Sequence, residues 1–327
     1  MKVLVTGGSG FIGSHVVDRL HAAGHEARIF DLVSSLHHSP TEVETVLGDL
    51  CDPTAARRAV AGCDAVVHLA AVADVDQVTR DPAQADRVNV RGTQAMLDVV
   101  RDGGTARFVY ASTIWVYGDA TGPEAVDEDA PLALPKHFYT ATKIAGEMYT
   151  ASYGELFGLE HSILRFGIPY GPRARPTAVV AAFTAKALAG QPLTIAGDGT
   201  QSRRFVYVED LADGVIASLA SAGANRIFNL VGRENVSVRS IARTVRDVVG
   251  DVPIVHIEGR AGDLRGGNIS GERAASELGW EPKTAFADGV SRYVDWVMDD
   301  AGTPSAATAS MTDGSAAAVR RHESSEL

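Results

Sequence analysis

The sequence is poor in cysteine: among 327 residues it has only Cys51 and Cys63. Two isolated cysteines are too few for a disulfide framework or a zinc site, so we expect free thiols, no bound metal and a reducing cytoplasmic location. The chain also has no apolar run near the ~20 residues that span a bilayer. Its first residues have the pattern of a strand rather than a signal peptide. We therefore expect no membrane association.

Basic residues are in deficit, with 30 Lys and Arg against 41 Asp and Glu and a net charge of −11. This balance excludes nucleic-acid binding through bulk electrostatics, but it is compatible with an anionic small substrate, which needs only a few well-placed arginines. The hydrophobic content of 45% and charged content of 22% are those of a globular protein. The length predicts two domains, or one large domain with a lobe.

The N-terminal segment carries the most specific pattern. An apolar run (Val3–Val5) is followed by glycines at 7, 10 and 13 and then by a helical stretch, Ser14–Ala23. Glycines in such a turn let the backbone approach a pyrophosphate, and the helix N-terminus offers free N–H groups. The next predicted strand, Ala27–Phe30, ends in Asp31, where a carboxylate would bind the adenosine ribose hydroxyls and repel a 2′-phosphate. A turn or cap is the alternative role for Asp31.

Strand and helix patterns alternate through the first half of the chain. Strands are predicted at Val43–Leu47, Ala65–Leu69, Arg107–Ala111 and Glu160–Arg165, and helices at Pro53–Ala61, Pro82–Asp102 and Tyr139–Phe157. Such alternation predicts a parallel sheet that is covered on both faces and binds ligands beyond the carboxyl ends of its strands. Several residues lie at such ends, beside the glycine turn: Asp49, Leu69, Ala70, Ala71, Ser112 and Thr113.

The pattern changes after Arg165. We expect helices at Thr177–Ala189, Leu211–Ser221, Val238–Val249, Gly271–Leu278 and Phe286–Met298, and a strand at Ile227–Val231 that rejoins the sheet. The predicted fold class is α/β: a Rossmann-like doubly wound parallel sheet with a smaller C-terminal α/β substrate lobe. Residues 1–165, with 204–231 returning, would form the dinucleotide-binding domain, and 166–203 with 232–299 the lobe. The tail, 300–327, has few large apolar residues and should be disordered.

Tyr139 and Lys143 are spaced four residues apart on a predicted helix and so share a face. An ammonium beside a phenol lowers its pKa from ~10 towards neutrality, which would let Tyr139 take a proton from an alcohol. Thr113, at a strand end, could hydrogen-bond the same substrate oxygen. The structural alternatives are a surface pair and a strand-end cap. Together the three residues form a dehydrogenase-type site.

The chain resembles the extended short-chain dehydrogenases/reductases and is most similar to the nucleotide-sugar 4-epimerases. The resemblance covers residues 1 to about 298. It is carried by the segments at 6–13, 48–50, 68–71, 89–93, 112–118, 139–143, 165–172, 197–203, 260–263 and 277–280.

The resemblance implies a role for each matching residue. NAD would be held by Gly7, Gly10, Phe11, Ile12, Gly13, Asp31, Asp49, Leu50, Leu69, Ala70, Ala71, Tyr139 and Lys143. Tyr139 would be the catalytic base, Lys143 its electrostatic partner, and Thr113 the hydroxyl beside the sugar O4. The substrate would be bound by Thr113, Tyr139, Arg203, Arg260 and Gly267, with the two arginines on its diphosphate. A homodimer through the predicted helices Pro82–Asp102 and Tyr139–Phe157 is also implied.

The family supports several reactions on 4-keto sugars. Its dehydratases carry an acid–base pair directly after the catalytic Thr, where this chain has Ile114 and Trp115, neither of which can move a proton. We therefore expect NAD-dependent C4 epimerisation of a UDP-sugar (glucose/galactose, N-acetylhexosamine or glucuronate). A 4,6-dehydratase or another tailoring enzyme, and a non-enzymatic NAD-sensing regulator, are the alternatives.

The chain departs from the family pattern in the residues around the sugar. Ile168 stands where Asn is usual, and Gly267 where some epimerases have a bulky aromatic, which predicts a roomier sugar pocket. Arg173 and Arg175 are extra cations that could meet a charged sugar or simply be solvated.

Overall fold

The computed structural model describes residues 1–120, 125–259 and 266–302, with side chains described to residue 299. The strands are β1 (Lys2–Thr6), β2 (Glu26–Asp31), β3 (Glu44–Leu47), β4 (Ala65–His68), β5 (Arg107–Thr113), β6 (Glu160–Phe166), β7 (Ile168–Tyr170), β8 (Leu193–Ala196), β9 (Ser202–Tyr207), β10 (Arg226–Leu230), β11 (Asn235–Ser237) and β12 (Ile254–Ile257).

The helices are α1 (Phe11–Ala22), α2 (Pro53–Val60), α3 (Val75–Arg80), α4 (Pro82–Asp86), α5 (Gly92–Gly103), α6 (Phe138–Phe157), α7 (Val179–Leu188), α8 (Val208–Ala217), α9 (Val238–Val249), α10 (Glu272–Leu278) and α11 (Phe286–Gly302). A π-helical turn at Arg87–Arg91 joins α4 to α5, and a 3₁₀ turn at Ile114–Tyr117 follows β5. Among the helices in this described part, none combines the length and apolar character of a bilayer span.

The central sheet has the strand order β10-β6-β5-β4-β1-β2-β3 within the described residues, and all its neighbours pair in parallel. The chain reverses direction across the sheet between β1 and β4, the switch point at which open α/β sheets bind ligands. This is the doubly wound Rossmann-like sheet that the sequence predicts. The segment predicted to rejoin it does so as β10, which pairs with β6.

The sheet is buried on both faces because alternate side chains of each strand enter different apolar layers. Val3 and Val5 of β1 pack with α1 and α8 on one face. Leu4, between them, packs with α2 and α5 on the other. These two layers explain why the central strands read as continuous apolar runs in the sequence.

The second half of the chain adds two small sheets, β11-β9-β7 and β12-β8. Their core is aromatic: Tyr170 contacts Phe205, Tyr207 and Phe286 with ring centres 4.9–6.2 Å apart. Trp280 fastens this part to α8 by donating from Nε1 to the Asp210 carbonyl at 2.8 Å. The strands of these sheets, three to six residues long, are absent from the sequence-based prediction. The predicted tail, 300–327, lies outside the described residues except for the end of α11.

The predicted helix at Pro82–Asp102 is present but interrupted by the π-helical turn. Asn89 in this turn is fully buried, although a polar side chain on a surface helix would normally face water. The extra residue of a π turn shifts the helical register, and such turns are frequent at functional sites. The interruption therefore turns Asn89 inward, towards α6.

A buried ion pair joins α6 to the sheet. Arg165 of β6 donates from Nε and Nη2 to the two carboxylate oxygens of Glu147, at 3.0 and 2.8 Å. Both side chains are at most 3% exposed. Arg165 also donates to the Tyr117 hydroxyl, and Ser112 donates to Glu147. The pair therefore fixes α6 against the carboxyl end of β5 and β6, where the predicted site lies.

Replacing Glu147 with Leu should destabilise the protein by about 3–5 kcal/mol, because Arg165 is left buried without its carboxylate. Urea denaturation measures the change in the free energy of unfolding. The double variant Glu147→Leu/Arg165→Met should recover much of the loss, since no charge is then stranded. As a matched control, Asp86→Ala breaks an exposed ion pair with Arg91 and should change stability little. A Glu147→Leu variant as stable as the Asp86 control would contradict this account of the pair.

Candidate active site

A cavity of about 800 Å³ opens at the carboxyl ends of β1, β4 and β5 and extends under β7 and α7; we call it the main cavity. It brings together residues predicted from well-separated segments of the chain. Its lining includes every predicted cofactor and catalytic residue: Gly7, Gly10, Phe11, Ile12, Gly13, Asp31, Asp49, Leu50, Leu69, Ala70, Ala71, Thr113, Tyr139 and Lys143.

The glycine turn forms one wall of the main cavity. Gly7 has φ +71°, and a Cβ there would come within 2.9 Å of the Ala70 backbone. A Cβ on Gly13 would lie 2.1 Å from the Gly7 carbonyl oxygen. Helix α1 begins directly after Gly10, which gives it no side-chain cap. Only glycine permits this close packing, which presents the uncapped N-terminus of α1 to the cavity.

Two carboxylates flank this wall. Asp31 accepts hydrogen bonds from the backbone N–H groups of Ser9, at 3.0 Å, and Leu32, at 2.7 Å, so its side chain is held at the end of β2. Asp49 pairs with Arg87, and hydrogen bonding from the Cys51 backbone N–H, with the Arg87 guanidinium, lowers the Asp49 pKa. Both side chains line the cavity as hydrogen-bond acceptors, held in place by the local backbone.

Tyr139 and Lys143 lie on the first turns of α6, facing Thr113 at the end of β5. Lys143 is buried and donates from Nζ to the Ala111 carbonyl at 2.9 Å, and this Nζ lies 5.9 Å from the centre of the Tyr139 ring. The Thr113 Oγ1 accepts a 3.3 Å hydrogen bond from the backbone N–H of Trp115. This bond uses the oxygen as an acceptor, so the hydroxyl keeps its O–H as a donor at the cavity wall.

Burial dominates the electrostatics of this group. It raises the pKa of Tyr139 to about 12, which the nearby positive charge of Arg175 only partly offsets. It lowers the pKa of Lys143 to about 8 although the Glu147 carboxylate acts in the opposite direction. The predicted fall in the Tyr139 pKa was therefore wrong for the protein alone, because removal of the phenolate from water outweighs an ammonium that is not in contact with the hydroxyl.

A buried hydrogen-bond chain connects β1 with the π-helical turn beside α6. Thr6 Oγ1 bonds His68 Nδ1 at 2.9 Å, and His68 Nε2 bonds Thr93 at 3.0 Å. Burial, and the Lys143 charge, lower the His68 pKa to about 3, so the ring is neutral. Thr93 in turn donates to the Asn89 carbonyl. The chain therefore runs from the cofactor-side strand to the π-helical turn without any charged member.

From that turn, Asn89 holds two walls of the cavity together. Its amide exchanges hydrogen bonds with Val72 N and O, at 2.8 and 3.0 Å, and donates to Thr142 at 3.0 Å. Thr142 donates to the Tyr139 carbonyl at 2.7 Å. Sequence reasoning gave Asn89, His68 and Thr142 no role. The available signal was a polar residue at a position where the helical pattern of 82–102 faces the core.

The predicted substrate residues lie partly elsewhere. Arg203 and Gly267 line a second, small pocket that adjoins the main cavity through Trp115. A Cβ on Gly267 would lie 2.1 Å from the Ala120 carbonyl oxygen, so the glycine is required for close packing. The expectation that it enlarges the sugar pocket was therefore wrong. Arg260 lies outside the described residues.

The two extra arginines have different surroundings. Arg173, with φ +65°, pairs with Asp18 on α1 at 2.8 Å, and Asp18 also accepts from His38. Arg175 lines the main cavity and pairs with Asp74 at 3.2 Å. Arg173 therefore fastens its loop to α1, whereas Arg175 stands at the cavity wall.

The model of the "NAD dependent epimerase/dehydratase family" matches residues 3–231. This is more than half of the chain. It contains every predicted cofactor and catalytic residue that lines the main cavity. The chain belongs to the NAD dependent epimerase/dehydratase family. It is an NAD-dependent enzyme, and the glycine wall and Asp31 fit this cofactor, because they offer backbone N–H groups for a pyrophosphate and a carboxylate for ribose hydroxyls.

Full-length relatives of known reaction support this assignment. The chain is 35% identical to a UDP-glucose 4-epimerase of Mycolicibacterium smegmatis over 311 residues, 90% of this chain and 98% of the relative. It is 30% identical to a dTDP-glucose 4,6-dehydratase of Streptomyces niveus, with 92% and 94% covered. The crystal structure of Thermus thermophilus UDP-glucose 4-epimerase in complex with NAD superposes with a TM-score of 0.84 at 34% identity, covering 91% of this chain and 99% of that one.

Replacing Asp31 with Ala should weaken NAD binding by about tenfold or more, because hydrogen bonds to a charged acceptor are lost. It should also narrow the preference for NAD over NADP, since the charge that repels a 2′-phosphate is removed. Titration of both cofactors into protein stripped of nucleotide measures this. Asp251→Ala, an exposed carboxylate in the second half of the chain, is the control. An unaltered NAD/NADP ratio in the Asp31 variant would show that this carboxylate does not select the cofactor.

Proposed function

We propose that the enzyme epimerises C4 of a UDP-sugar through a transient 4-keto intermediate. One observation carries the proposal. Tyr139, Lys143 and Thr113 line the dinucleotide cavity together, and the next two positions after Thr113 are Ile114 and Trp115. Alcohol oxidation has its base there, whereas elimination of water lacks the acid–base pair that the family's dehydratases use.

NAD, held by the glycine wall and Asp31, would supply reversible hydride acceptance at C4. Thr113 would donate a hydrogen bond to the sugar O4, and Tyr139 would remove its proton. Because burial raises the Tyr139 pKa to about 12, the phenol needs added positive charge to ionise near neutral pH. Lys143 carries one such charge below its pKa of about 8, and an oxidised nicotinamide is another.

The same residues return the proton in the second half of the reaction. Epimerisation requires the keto sugar to turn over so that the opposite face meets the cofactor. The keto sugar would turn within the main cavity, beside the cofactor that the same cavity would hold. Tyr139, held at its carbonyl by Thr142, then serves as the acid from an unchanged position.

We further propose that residues 1–165 with 204–231 bind the cofactor, and that 166–203 with 232–299 bind the nucleotide sugar through Arg203 and Arg260.

A homodimer would explain the exposed apolar side chains on α6, at Met148, Leu156 and Phe157, which are 51–72% exposed. Sedimentation equilibrium distinguishes a dimer from a monomer. Two free cysteines suit a cytoplasmic enzyme.

The dehydratase alternative rests on the similarity to the Streptomyces niveus enzyme. Product analysis separates the two reactions. We expect UDP-glucose, UDP-N-acetylglucosamine or UDP-glucuronate to yield a product of unchanged mass, with inverted C4 stereochemistry by NMR. A product that has lost water, formed from a UDP- or TDP-sugar, would assign dehydration instead. The proposed reaction would be overturned if every sugar in the panel gave neither a product nor the absorbance of reduced nicotinamide.

Tyr139→Phe should lower turnover by about 10²- to 10⁴-fold while NAD remains bound, because only the proton-transfer group is removed. Tyr149→Phe is a matched control, since Tyr149 lies on the same helix but is 37% exposed. Turnover is measured with the best substrate of the panel, and NAD content by absorbance after denaturation. Near-normal turnover in the Tyr139 variant would remove this residue from the role of base.

A further inference from the structure

Two side-chain donors next to the main cavity are buried without an acceptor. Trp115 Nε1 and Arg204 Nε each make no hydrogen bond within the described part of the chain. A buried N–H that gives up water without gaining a partner costs free energy, so such groups are rare unless they serve a ligand. The reaction proposed above uses neither of them.

The two residues that carry these donors line the same small pocket. It lies between the 3₁₀ turn after β5, the start of β9 and the segment 266–269. Arg203 and Arg204 both line it, the other described lining residues are apolar or glycine, and none of them is a carboxylate. Arg204 Nη1 donates to the Arg233 carbonyl at 3.2 Å, and its Nε is left without an acceptor. The described side chains of the pocket therefore offer donors and no carboxylate.

The size of the pocket limits what can enter. Its volume of about 20 Å³ holds a single oxygen atom or a water molecule, not a whole substituent. Trp115 lines both this pocket and the main cavity, and its ring meets Tyr139 edge to face at 6.2 Å. A sugar in contact with Tyr139 therefore lies beside the indole that carries one of the two unpaired donors.

We propose that this small pocket is a subsite for one anionic oxygen of the substrate, with Trp115 Nε1 and Arg204 Nε as its donors. The inference rests on the proposed function, which supplies a substrate with two sources of such an oxygen: the diphosphate and, in a uronate, the sugar carboxylate. Trp115 would then bind substrate at a position where the family's dehydratases have an acid–base residue.

Binding measurements test the subsite. Calorimetric titrations with UDP, UDP-glucose and UDP-glucuronate would compare the wild type with Trp115→Phe, which keeps a ring but loses the N–H, and Arg204→Met, which keeps the alkyl chain. Each variant should raise the Kd of the ligands that use the pocket by about tenfold or more. Arg226→Met is the control, because Arg226 is exposed at the opposite, amino end of β10.

The ligand set identifies the oxygen. Parallel weakening of all three ligands assigns a diphosphate oxygen, and weakening of UDP-glucuronate alone assigns the carboxylate. Unchanged Kd values in both variants, with normal turnover in the wild type, would overturn the subsite and leave the epimerase proposal intact. Failure of the wild type to bind any of the three would overturn both. NAD content of each variant shows whether it is folded.

The indole N–H can also be observed directly. The chain has three tryptophans, so ¹⁵N-labelled protein gives three indole signals, of which Trp115→Phe assigns one. That signal should move downfield when the bound ligand accepts its hydrogen bond. Trp280, already bonded to Asp210 at 2.8 Å, is the internal reference. A Trp115 signal that stays in place at saturating ligand would mean that the pocket holds only a trapped water, and the subsite would be rejected.

Discussion

The bond from Asn89 to Thr142 is the contact on which the geometry of the site depends. Through it, the wall of the cofactor cavity at Val72 and the helix that carries Tyr139 are held by one buried amide. The same π-helical turn receives the hydrogen-bond chain that starts at Thr6 on β1. Every member of this chain is neutral, so it keeps its geometry at neutral pH and leaves the local charge to Lys143. A single continuous α-helix over 82–102 could not place Asn89 in this position.

Burial shapes the chemistry as strongly as it shapes the fold. It raises the pKa of Tyr139 and lowers that of Lys143, so the charged form of each group is less favoured than it would be at the surface. In the proposed reaction, a phenol that stays protonated until a second cation joins it would ionise only when the oxidised cofactor is in place. Arg165 and Glu147, by contrast, are buried as an ion pair. Their opposite charges offset each other, and the pair binds α6 to the sheet.

The first half of the fold was predictable from the sequence because its signals are local. Strands buried on both faces appear as short apolar runs, and Gly7 and Gly13 leave no room for a Cβ in the turn that joins β1 to α1. The lobe strands were not predicted, because segments of three to six residues in small sheets carry little periodicity. The Tyr139 pKa and the purpose of Gly267 depend on burial and on contacts between distant segments. No spacing rule contains that information.

Trp115 illustrates how a family scaffold changes its outcome with few substitutions. At a position where the family's dehydratases move a proton, this chain has an indole that covers the edge of Tyr139 on one side and faces two arginines on the other. The substitution removes an acid–base group and adds a donor and a rigid surface. Loss of one reaction and altered substrate binding therefore arise at the same residue. Because Arg204 Nε is left unpaired beside it, the two side chains would have to be exchanged together to restore a satisfied polar pocket.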